Sequence, residues 1–182
     1  MTAARRGVFL DRDGVLNKAL VVDGLPFGPI DADALELTEG APELLAELKE
    51  RGFVLVCVTN QPDVARGTRT LENVLAMNEK VKTLLPLDAL YACLHDNHHN
   101  CDCRKPKPGM LLRGAKEFGL DLSKSFMVGD RAGDIEAGRR AGTYTIFIDH
   151  GYKEKLPDPE ADHTCKSLGE AVGHILEREE PE

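Results

Sequence analysis

Several features that would assign a protein to a common functional class are missing from these 182 residues. No apolar run approaches the roughly 20 residues of a membrane-spanning helix, so we expect no membrane segment. The first apolar run ends at Asp11 and is too short for a signal peptide. Internal repeats and low-complexity segments are also absent. We therefore expect a cytoplasmic protein that folds as one domain over residues 1–182.

Positive charge is also scarce. The chain has 23 Lys and Arg residues against 31 Asp and Glu residues, and its net charge is −8. Broad nucleic-acid binding needs a basic face that neutralises phosphates, so we expect no nucleic-acid partner. A small anionic substrate held by a few local cations is still compatible with this charge. Little hydrophobic surface is left for protein partners, which favours a monomer.

What the chain does contain is an alternation of strand-like and helix-like segments. Short apolar runs predict strands at 7–10, 53–58, 87–94, 125–128 and 144–148, the last strand of the sheet. Helical spacing predicts helices at 41–51, 70–85, 109–118, 135–141 and 167–178, followed by a frayed acidic tail. Residues 17–38 lack periodicity and are predicted to form a long loop. This alternation predicts βαβ units and a mainly parallel sheet.

Polar side chains follow three of the predicted strands. Asp11 and Asp13 follow the first strand, Thr59 and Asn60 the second, and Asp130 the fourth. The carboxyl ends of parallel strands meet at one edge, where open α/β sheets bind ligands. We expect these side chains to lie together and to bind a small molecule.

Two acidic groups at one strand end are tolerable if a divalent cation lies between them. Magnesium takes carboxylate ligands together with substrate phosphate, which makes Asp11, Asp13 and Asp130 candidate ligands. Lys105 and Thr59 are candidates for stabilising phosphoryl oxygens. The competing interpretation of Asp11 and Asp13 is a solvated turn, since Asp and Gly favour turns.

The stretches FLDRDG, VTNQ, RKPKPG and GDRAGD, in this order, resemble the four motifs of the haloacid dehalogenase-like phosphatases over roughly residues 7–150. The resemblance implies a three-layer Rossmann-like α/β sandwich and a magnesium-dependent phosphatase. Asp11 would attack phosphorus, Asp13 would act as acid and base, and Thr59 and Lys105 would hold phosphoryl oxygens. Asp11, Asp130 and the backbone carbonyl of Asp13 would bind magnesium.

Two further polar residues of these motifs have less defined roles. Asn60 is expected to line the substrate pocket. Asp134 could cap the helix predicted from Ile135 or support the metal site. Both roles of Asp134 remain open.

The stretch CLHDNHHNCDCRKP supplies a complete set of tetrahedral zinc ligands. The candidate ligands, in the loop 93–103, are Cys93, His95, Cys101 and Cys103. His98 and His99 compete for the imidazole position, although the C-x-H spacing favours His95. A closed ligand set indicates a structural zinc that fixes Arg104 and Lys105. The alternative is a flexible polar loop with incidental cysteines.

With this cluster the chain resembles the zinc-bearing subgroup that acts on heptose bisphosphate and, as a second possibility, histidinol phosphate. The resemblance implies hydrolysis of the 7-phosphate of D-glycero-D-manno-heptose 1,7-bisphosphate. Arg104, beside Lys105, could bind a second phosphate or a sugar hydroxyl, and Arg66 and Arg131 are weaker candidates for substrate binding. A solvated surface arginine is the alternative for Arg66. The sequence has no bulky insertion that could form a large cap domain, so residues 17–38 and the zinc loop are the only candidates for covering an open pocket. Pro62 in TNQP and the missing H-G-Y stretch depart from the subgroup. A catalytically inactive binding module and a catalytic zinc hydrolase are the other readings.

Overall fold

A six-stranded sheet forms the centre of the computed structural model, which describes residues 5–178. In chain order the strands are β1 (Gly7–Leu10), β2 (Leu20–Val22), β3 (Leu25–Phe27), β4 (Val54–Asn60), β5 (Ala89–Cys93), β6 (Phe126–Gly129), β7 (Tyr144–Ile148) and β8 (His163–Cys165). The sheet has the spatial order β5-β4-β1-β6-β7-β8, and all neighbouring strands in it are parallel. Strands β2 and β3 form a separate antiparallel hairpin.

Helices cover both faces of the sheet. They are α1 (Ala41–Glu50), α2 (Asp63–Arg66), α3 (Leu71–Leu84), α4 (Gly109–Phe118), α5 (Ala132–Ala141) and α6 (Leu168–Glu177). Apolar side chains of α1, α3 and α6 form one core with the sheet, and those of α4 and α5 form a second core on the opposite face. The predicted three-layer α/β sandwich is therefore confirmed.

The central strands are buried on both faces. In β1, Val8 and Leu10 belong to one core, whereas Phe9 belongs to the other. The same alternation along β4 places Leu55 and Val56 in different cores. Because both faces are covered, these strands appear in the sequence as uninterrupted apolar runs rather than as alternating polar and apolar residues.

Most predicted elements are present with small shifts at their ends. Helix α4 coincides with the predicted helix 109–118. Helix α5 begins at Ala132 instead of Ile135, because the side chain of Asp134 accepts hydrogen bonds from backbone N–H groups at the helix start. Strand β4 continues through Thr59 and Asn60, which pair with β5. Thr59 and Asn60 are therefore the last two residues of the strand and do not belong to the loop after it.

The prediction of an irregular loop over residues 17–38 is wrong for its first half. Asp23 and Gly24 both have positive φ, 53° and 85°, and they form the two-residue turn of the β2–β3 hairpin. The sequence did not predict this hairpin, because each strand has only three residues and five of the six side chains are exposed although most of them are apolar. Pro26 is tolerated because the hairpin has no further partner strand on either side.

The sequence predicted β7 as the last strand of the sheet, and this prediction is wrong. Strand β8 follows it and pairs in parallel with β7 at the sheet edge. Only Cys165 of its three residues is buried. A three-residue edge strand with one buried side chain gives almost no sequence signal.

Two expectations concern the rest of the chain. Within residues 5–178, no helix is both long enough and apolar enough to cross a membrane. The predicted acidic tail after Arg178 lies outside the described residues.

The topology fixes where a ligand can bind. Strand β1 lies between β4 and β6, and the chain continues from it to β4 and β5 on one side before crossing to β6, β7 and β8 on the other. The carboxyl end of β1 is therefore a point where the direction of winding reverses, the position at which open α/β sheets bind ligands.

Packing in the larger core predicts the stability effect of one truncation. Leu45 on α1 is fully buried, so Leu45→Ala should lower the free energy of unfolding by about 2–5 kcal/mol. The matched control is Leu75→Ala on α3, where the leucine is 50% exposed and the change should stay within about 0.5 kcal/mol. Urea denaturation followed by circular dichroism measures both values. Equal losses in the two variants would contradict the assigned core.

Candidate active site

Three buried carboxylates meet at the carboxyl edge of the sheet. Asp11 follows β1, Asp130 follows β6, and Asp134 lies in the first turn of α5. One oxygen from each lies within 4.8 Å of the others. Mutual repulsion among anions this close, away from water, requires nearby positive charge.

Lys105 supplies one such charge. Its Nζ atom donates to Asp11 Oδ1, Asp134 Oδ1 and the carbonyl oxygen of Val58, each at 2.7 Å. Burial acts to lower the pKa of Lys105, but Asp11 and Asp134 outweigh it and raise this pKa. Lys105 is thus a buried, fully hydrogen-bonded cation. Burial raises the pKa of Asp11 to about 6, although Lys105 acts in the opposite direction.

Asp130 is compensated less, because Arg131 and Lys105 only partly offset the effect of burial on its pKa. Both of its carboxylate oxygens are buried and without a hydrogen-bond partner. Burial, and then the charge of Asp11, raise its pKa well above the ordinary value. Carboxylates with open lone pairs, grouped beside a second carboxylate, are the donor set that a hard divalent cation takes. The residues present therefore fit a magnesium ion.

Gly14 allows the first strand-end loop to approach this site. Its φ is +92°, and a Cβ atom at this position would lie 1.9 Å from Asp130 Oδ2. Any side chain would both strain the backbone and displace the carboxylate.

Asp13 is held apart from the three-carboxylate group. Its oxygens accept hydrogen bonds from Nε and Nη2 of Arg12, Nδ2 of Asn17 and Nε2 of Gln61, at 2.9–3.1 Å. Burial acts to raise the pKa of Asp13, but Arg12 and the donated hydrogen bonds outweigh it and keep this pKa below its ordinary value. Its side chain is 19% exposed, so it keeps access to the cavity.

The end of β4 supplies three more side chains. Gln61 donates from Nε2 to both Asp13 and the hydroxyl of Thr59, at 2.9 Å each. Asn60 donates from Nδ2 to the carbonyl of Lys105, and its Oδ1 accepts from the N–H of the same residue. Asn60 therefore fixes the backbone from which the buried ammonium extends.

A cavity of about 370 Å³ lies over this edge, and Asp130 is not among the residues that line it. It includes every predicted catalytic residue, namely Asp11, Asp13, Thr59 and Lys105. Part of its wall comes from the segment 17–38 that contains the β2–β3 hairpin, through Ala19, Pro26, Phe27 and Gly28, and another part from Pro62. In the described residues the hairpin and the 93–103 loop are the insertions at this edge, and neither forms a separate cap domain.

The three predicted substrate-binding arginines all line the cavity, and each has a partner. Arg66 makes two hydrogen bonds to the Asp96 carboxylate, at 2.7 and 2.8 Å. Arg131 pairs with the Glu154 carboxylate. Arg104 is held by Asn97 Oδ1 at 2.8 Å and by a backbone carbonyl at 3.3 Å. Of the three arginines, Arg104 thus has no carboxylate among these hydrogen-bond partners.

The cysteine-rich loop brings the four predicted ligands together. Their donor atoms, Sγ of Cys93, Cys101 and Cys103 and Nδ1 of His95, all lie within 4.8 Å of one another. The close pairs among them are separated by 3.2–3.6 Å. Donors about 2.0–2.3 Å from a tetrahedral zinc are separated by similar distances, so this set fits zinc. His99 instead accepts from the N–H of Asp96.

The open question about Asp134 has a double answer. Its Oδ2 accepts from the N–H groups of Asp130 and Arg131 at the start of α5, at 3.2 and 3.1 Å. Its Oδ1 pairs with Lys105. The residue therefore caps the helix and belongs to the carboxylate group at the same time.

Sequence reasoning missed the residues that surround Asp13. Arg12, Asn17 and Gln61 contact it, and Asn78 on α3 contacts Arg12. Arg12 and Gln61 lie inside motifs that were recognised, so their position was a usable signal. Asn78 gave a weaker one, as a polar residue in the apolar row of a helix.

Comparison with known families agrees with this geometry. A family model described as haloacid dehalogenase-like hydrolase matches residues 25–142, more than half of the chain. A D-glycero-β-D-manno-heptose-1,7-bisphosphate 7-phosphatase from Pasteurella multocida (strain Pm70) is 39% identical over 149 residues, covering 75% of this chain and 77% of the relative. The protein of the same name from Yersinia pestis is 37% identical, covering 98% and 99%.

One solved structure is similar to this chain over almost its whole length. The crystal structure of D,D-heptose 1,7-bisphosphate phosphatase from B. bronchiseptica, complexed with magnesium and phosphate, superimposes with a TM-score of 0.79 and 27% identity. The match covers 95% of this chain and 99% of that one. The prediction of a phosphatase enzyme is thereby confirmed, and the chain belongs to the haloacid dehalogenase-like hydrolases.

Proposed function

We propose that this enzyme removes the 7-phosphate of D-glycero-D-manno-heptose 1,7-bisphosphate, with magnesium as cofactor and through an aspartyl-phosphate on Asp11. The observation that carries the proposal is the buried group of Asp11, Asp130 and Asp134 around Lys105, with both Asp130 oxygens lacking partners. The names of the similar proteins from P. multocida and Y. pestis support the choice of sugar.

Asp11, Asp130 and the backbone carbonyl of Asp13 would hold the magnesium, with Asp134 beside them. When bound, the ion supplies positive charge that offsets the carboxylates and the phosphoryl oxygens. Lys105 and Thr59 hold phosphoryl oxygens, and Lys105 also orients the Asp11 carboxylate through its hydrogen bond. Such fixed donors stabilise negative charge that develops during phosphoryl transfer.

The chemistry proceeds in two steps. Asp11 attacks phosphorus, and the bond from phosphorus to the sugar oxygen breaks as that oxygen takes a proton from Asp13. A water molecule then gives its proton to Asp13 and attacks phosphorus, which releases inorganic phosphate and frees Asp11. An incoming phosphate brings negative charge next to Asp13, and this charge raises its pKa towards the protonated form that the first step uses.

The second phosphate of the substrate would bind at the cavity rim. Arg104 is the best of the three candidates, because its described hydrogen bonds go to an amide and a carbonyl oxygen rather than to a carboxylate. Arg66 and Arg131 are already neutralised by Asp96 and Glu154. They would contribute long-range attraction or bind after their partners are displaced.

Zinc in the 93–103 loop would be structural, since four protein donors leave no open coordination position. Two links connect this loop to the chemistry. The carbonyl of Cys93 accepts from the N–H of Gln61 at 2.7 Å. Cys103, the last candidate zinc ligand, is separated from Lys105 by one residue. Loss of zinc would therefore disturb both the Asp13 and the Lys105 positions.

The setting of the enzyme is also part of the proposal. We expect a monomeric, single-domain cytoplasmic enzyme with a small sugar phosphate as its partner and no nucleic-acid partner, in line with its net charge of −8. A second substrate, histidinol phosphate, is favoured by the apolar wall of Pro26, Phe27 and Pro62, which an imidazole ring could contact.

Substitution of the nucleophile tests the mechanism. Asp11→Asn should lower turnover by about 10⁴-fold or more, because an amide does not attack phosphorus, while the protein stays folded and keeps its zinc. The exposed Asp33→Asn variant should keep wild-type turnover. Phosphate release, circular dichroism and metal analysis are the measurements. Full activity of Asp11→Asn would refute the assigned nucleophile.

Removal of the loop metal tests its role. Cys101→Ser should lose the bound zinc and lower kcat by about tenfold or more, because Gln61 and Lys105 lose their support. Cys165→Ser, at a cysteine outside the cluster, should keep both zinc and activity. Metal content by elemental analysis is compared with phosphate release. A zinc-free variant with unchanged kcat would contradict the coupling.

A substrate comparison tests the sugar and the role of Arg104 together. The wild-type kcat/KM for heptose bisphosphate should exceed that for histidinol phosphate by about a hundredfold, or about 2.7 kcal/mol in transition-state binding. Arg104→Ala should remove most of this preference, because Arg104 contacts the second phosphate of heptose bisphosphate and histidinol phosphate has none.

The exposed arginine of α4 provides the control for that comparison. Arg113 has a side chain that is 66% exposed and outside the cavity, so Arg113→Ala should leave both kcat/KM values unchanged. If the wild-type enzyme has the higher kcat/KM for histidinol phosphate, that compound would become the proposed substrate in place of heptose bisphosphate. A preference that survives Arg104→Ala would reassign the second phosphate to another cation.

A further inference from the structure

Arg12, the residue between the two motif aspartates, is completely buried. Its exposed fraction is 0%, and it is among the largest fully buried side chains in the described residues. A guanidinium away from water needs both a counter-charge and hydrogen-bond acceptors. Its partners therefore show what the side chain is for.

The guanidinium is fixed at two ends. Its Nε and Nη2 atoms donate to the two carboxylate oxygens of Asp13, at 3.1 and 3.0 Å. Its Nη1 atom donates to Asn78 Oδ1 at 2.7 Å. The two-point contact fixes the plane of the carboxylate relative to the planar guanidinium, and Asn78 prevents the guanidinium from turning.

Asn78 lies in an otherwise apolar row. It is 5% exposed and shares the buried face of α3 with Val74, Met77 and Val81. Burial of an amide without partners is costly, whereas a leucine would suit this face. The contact to Arg12 accounts for a polar residue at this position.

We propose that Arg12 and Asn78 are positioning residues for the acid and base of the reaction. Asn78 orients Arg12, and Arg12 holds the Asp13 carboxylate towards the cavity while Gln61 and Asn17 contact it from other directions. The inference rests on the proposed function, since it assigns Asp13 the proton transfers. It adds helix α3, which contributes none of the residues lining the cavity, to the machinery.

The two chemical steps depend on Asp13 to different extents. In the first, the leaving oxygen of a sugar needs the proton from Asp13, but a p-nitrophenolate leaves without one. In the second, water must give its proton to Asp13 while the phosphorus–Asp11 bond breaks, whatever the leaving group was. A misplaced Asp13 should therefore slow only the second step for p-nitrophenyl phosphate, and both steps for a sugar phosphate.

The experiment uses Asn78→Leu in the full-length, magnesium- and zinc-loaded enzyme with p-nitrophenyl phosphate. Stopped-flow measurement should show a burst of about one p-nitrophenolate per active site. A steady state at least about tenfold slower than wild type should follow, since a positioned acid–base group contributes about 10²–10⁴-fold. Phosphoenzyme on Asp11 should accumulate and be detected by mass spectrometry after acid quench. Arg12→Ala is less suitable, because it leaves Asn78 unpartnered and opens a cavity that can prevent folding.

Two matched variants separate positioning from packing. Asn78→Asp keeps an acceptor oxygen for Arg12 and should stay within about threefold of wild type. Val74→Ala, on the same buried face without a described contact to Arg12, should show no burst even if it is less stable.

The inference is overturned if Asn78→Leu slows the first release of p-nitrophenolate as much as it slows the steady state, or changes neither rate. The proposed function fails separately, if the wild-type enzyme forms no phosphoenzyme on Asp11. A wild-type phosphoenzyme together with an Asn78→Leu variant that shows no burst would leave the function standing and remove the role of α3.

Discussion

The repulsion among the buried carboxylates of Asp11, Asp130 and Asp134 is the constraint on which the site depends. Lys105 offsets part of this repulsion through its contacts to Asp11 and Asp134. The two Asp130 oxygens have no hydrogen-bond partner, so a cation could offset the remaining repulsion there. The parallel sheet makes the arrangement possible, because it brings the ends of β1 and β6 side by side. The same charges that make the site costly to fold make it receptive to a metal and a phosphate.

Motif order on alternating strands was enough to predict which strand-end residues meet at one edge of the sheet. Asp11, Thr59, Lys105 and Asp130 come from four separate segments, and the βαβ topology brings such strand-end residues together. The convergence of the cysteine and histidine side chains of the 93–103 loop was equally predictable, because their spacing within one loop is a local signal. The hairpin and β8 were missed because exposed or very short strands have no hydrophobic periodicity.

The hydrogen-bond partners of the site residues could not be predicted in the same way. A sequence shows that Arg66, Arg104 and Arg131 are cations, but not that two of them are neutralised by carboxylates from distant segments. Nor does it show that Asn78, on a helix 66 positions beyond Arg12, supports the first motif. Such pairings depend on how elements pack in three dimensions, whereas motif spacing depends only on the backbone path.

The two-sided contact between the Asn60 amide and the backbone of Lys105 limits how the cysteine-rich insertion can change in length. With Cys103 in contact with Cys93 and Cys101, and Lys105 held by Asn60, a single residue must connect two anchored points. An insertion or deletion there would break one anchor or the other. The stretch between His95 and Cys101 has no contact of this kind with Lys105, but it carries Asn97, which accepts a hydrogen bond from Arg104. A change in its length would therefore leave the Lys105 backbone in place and move the cation at the cavity rim.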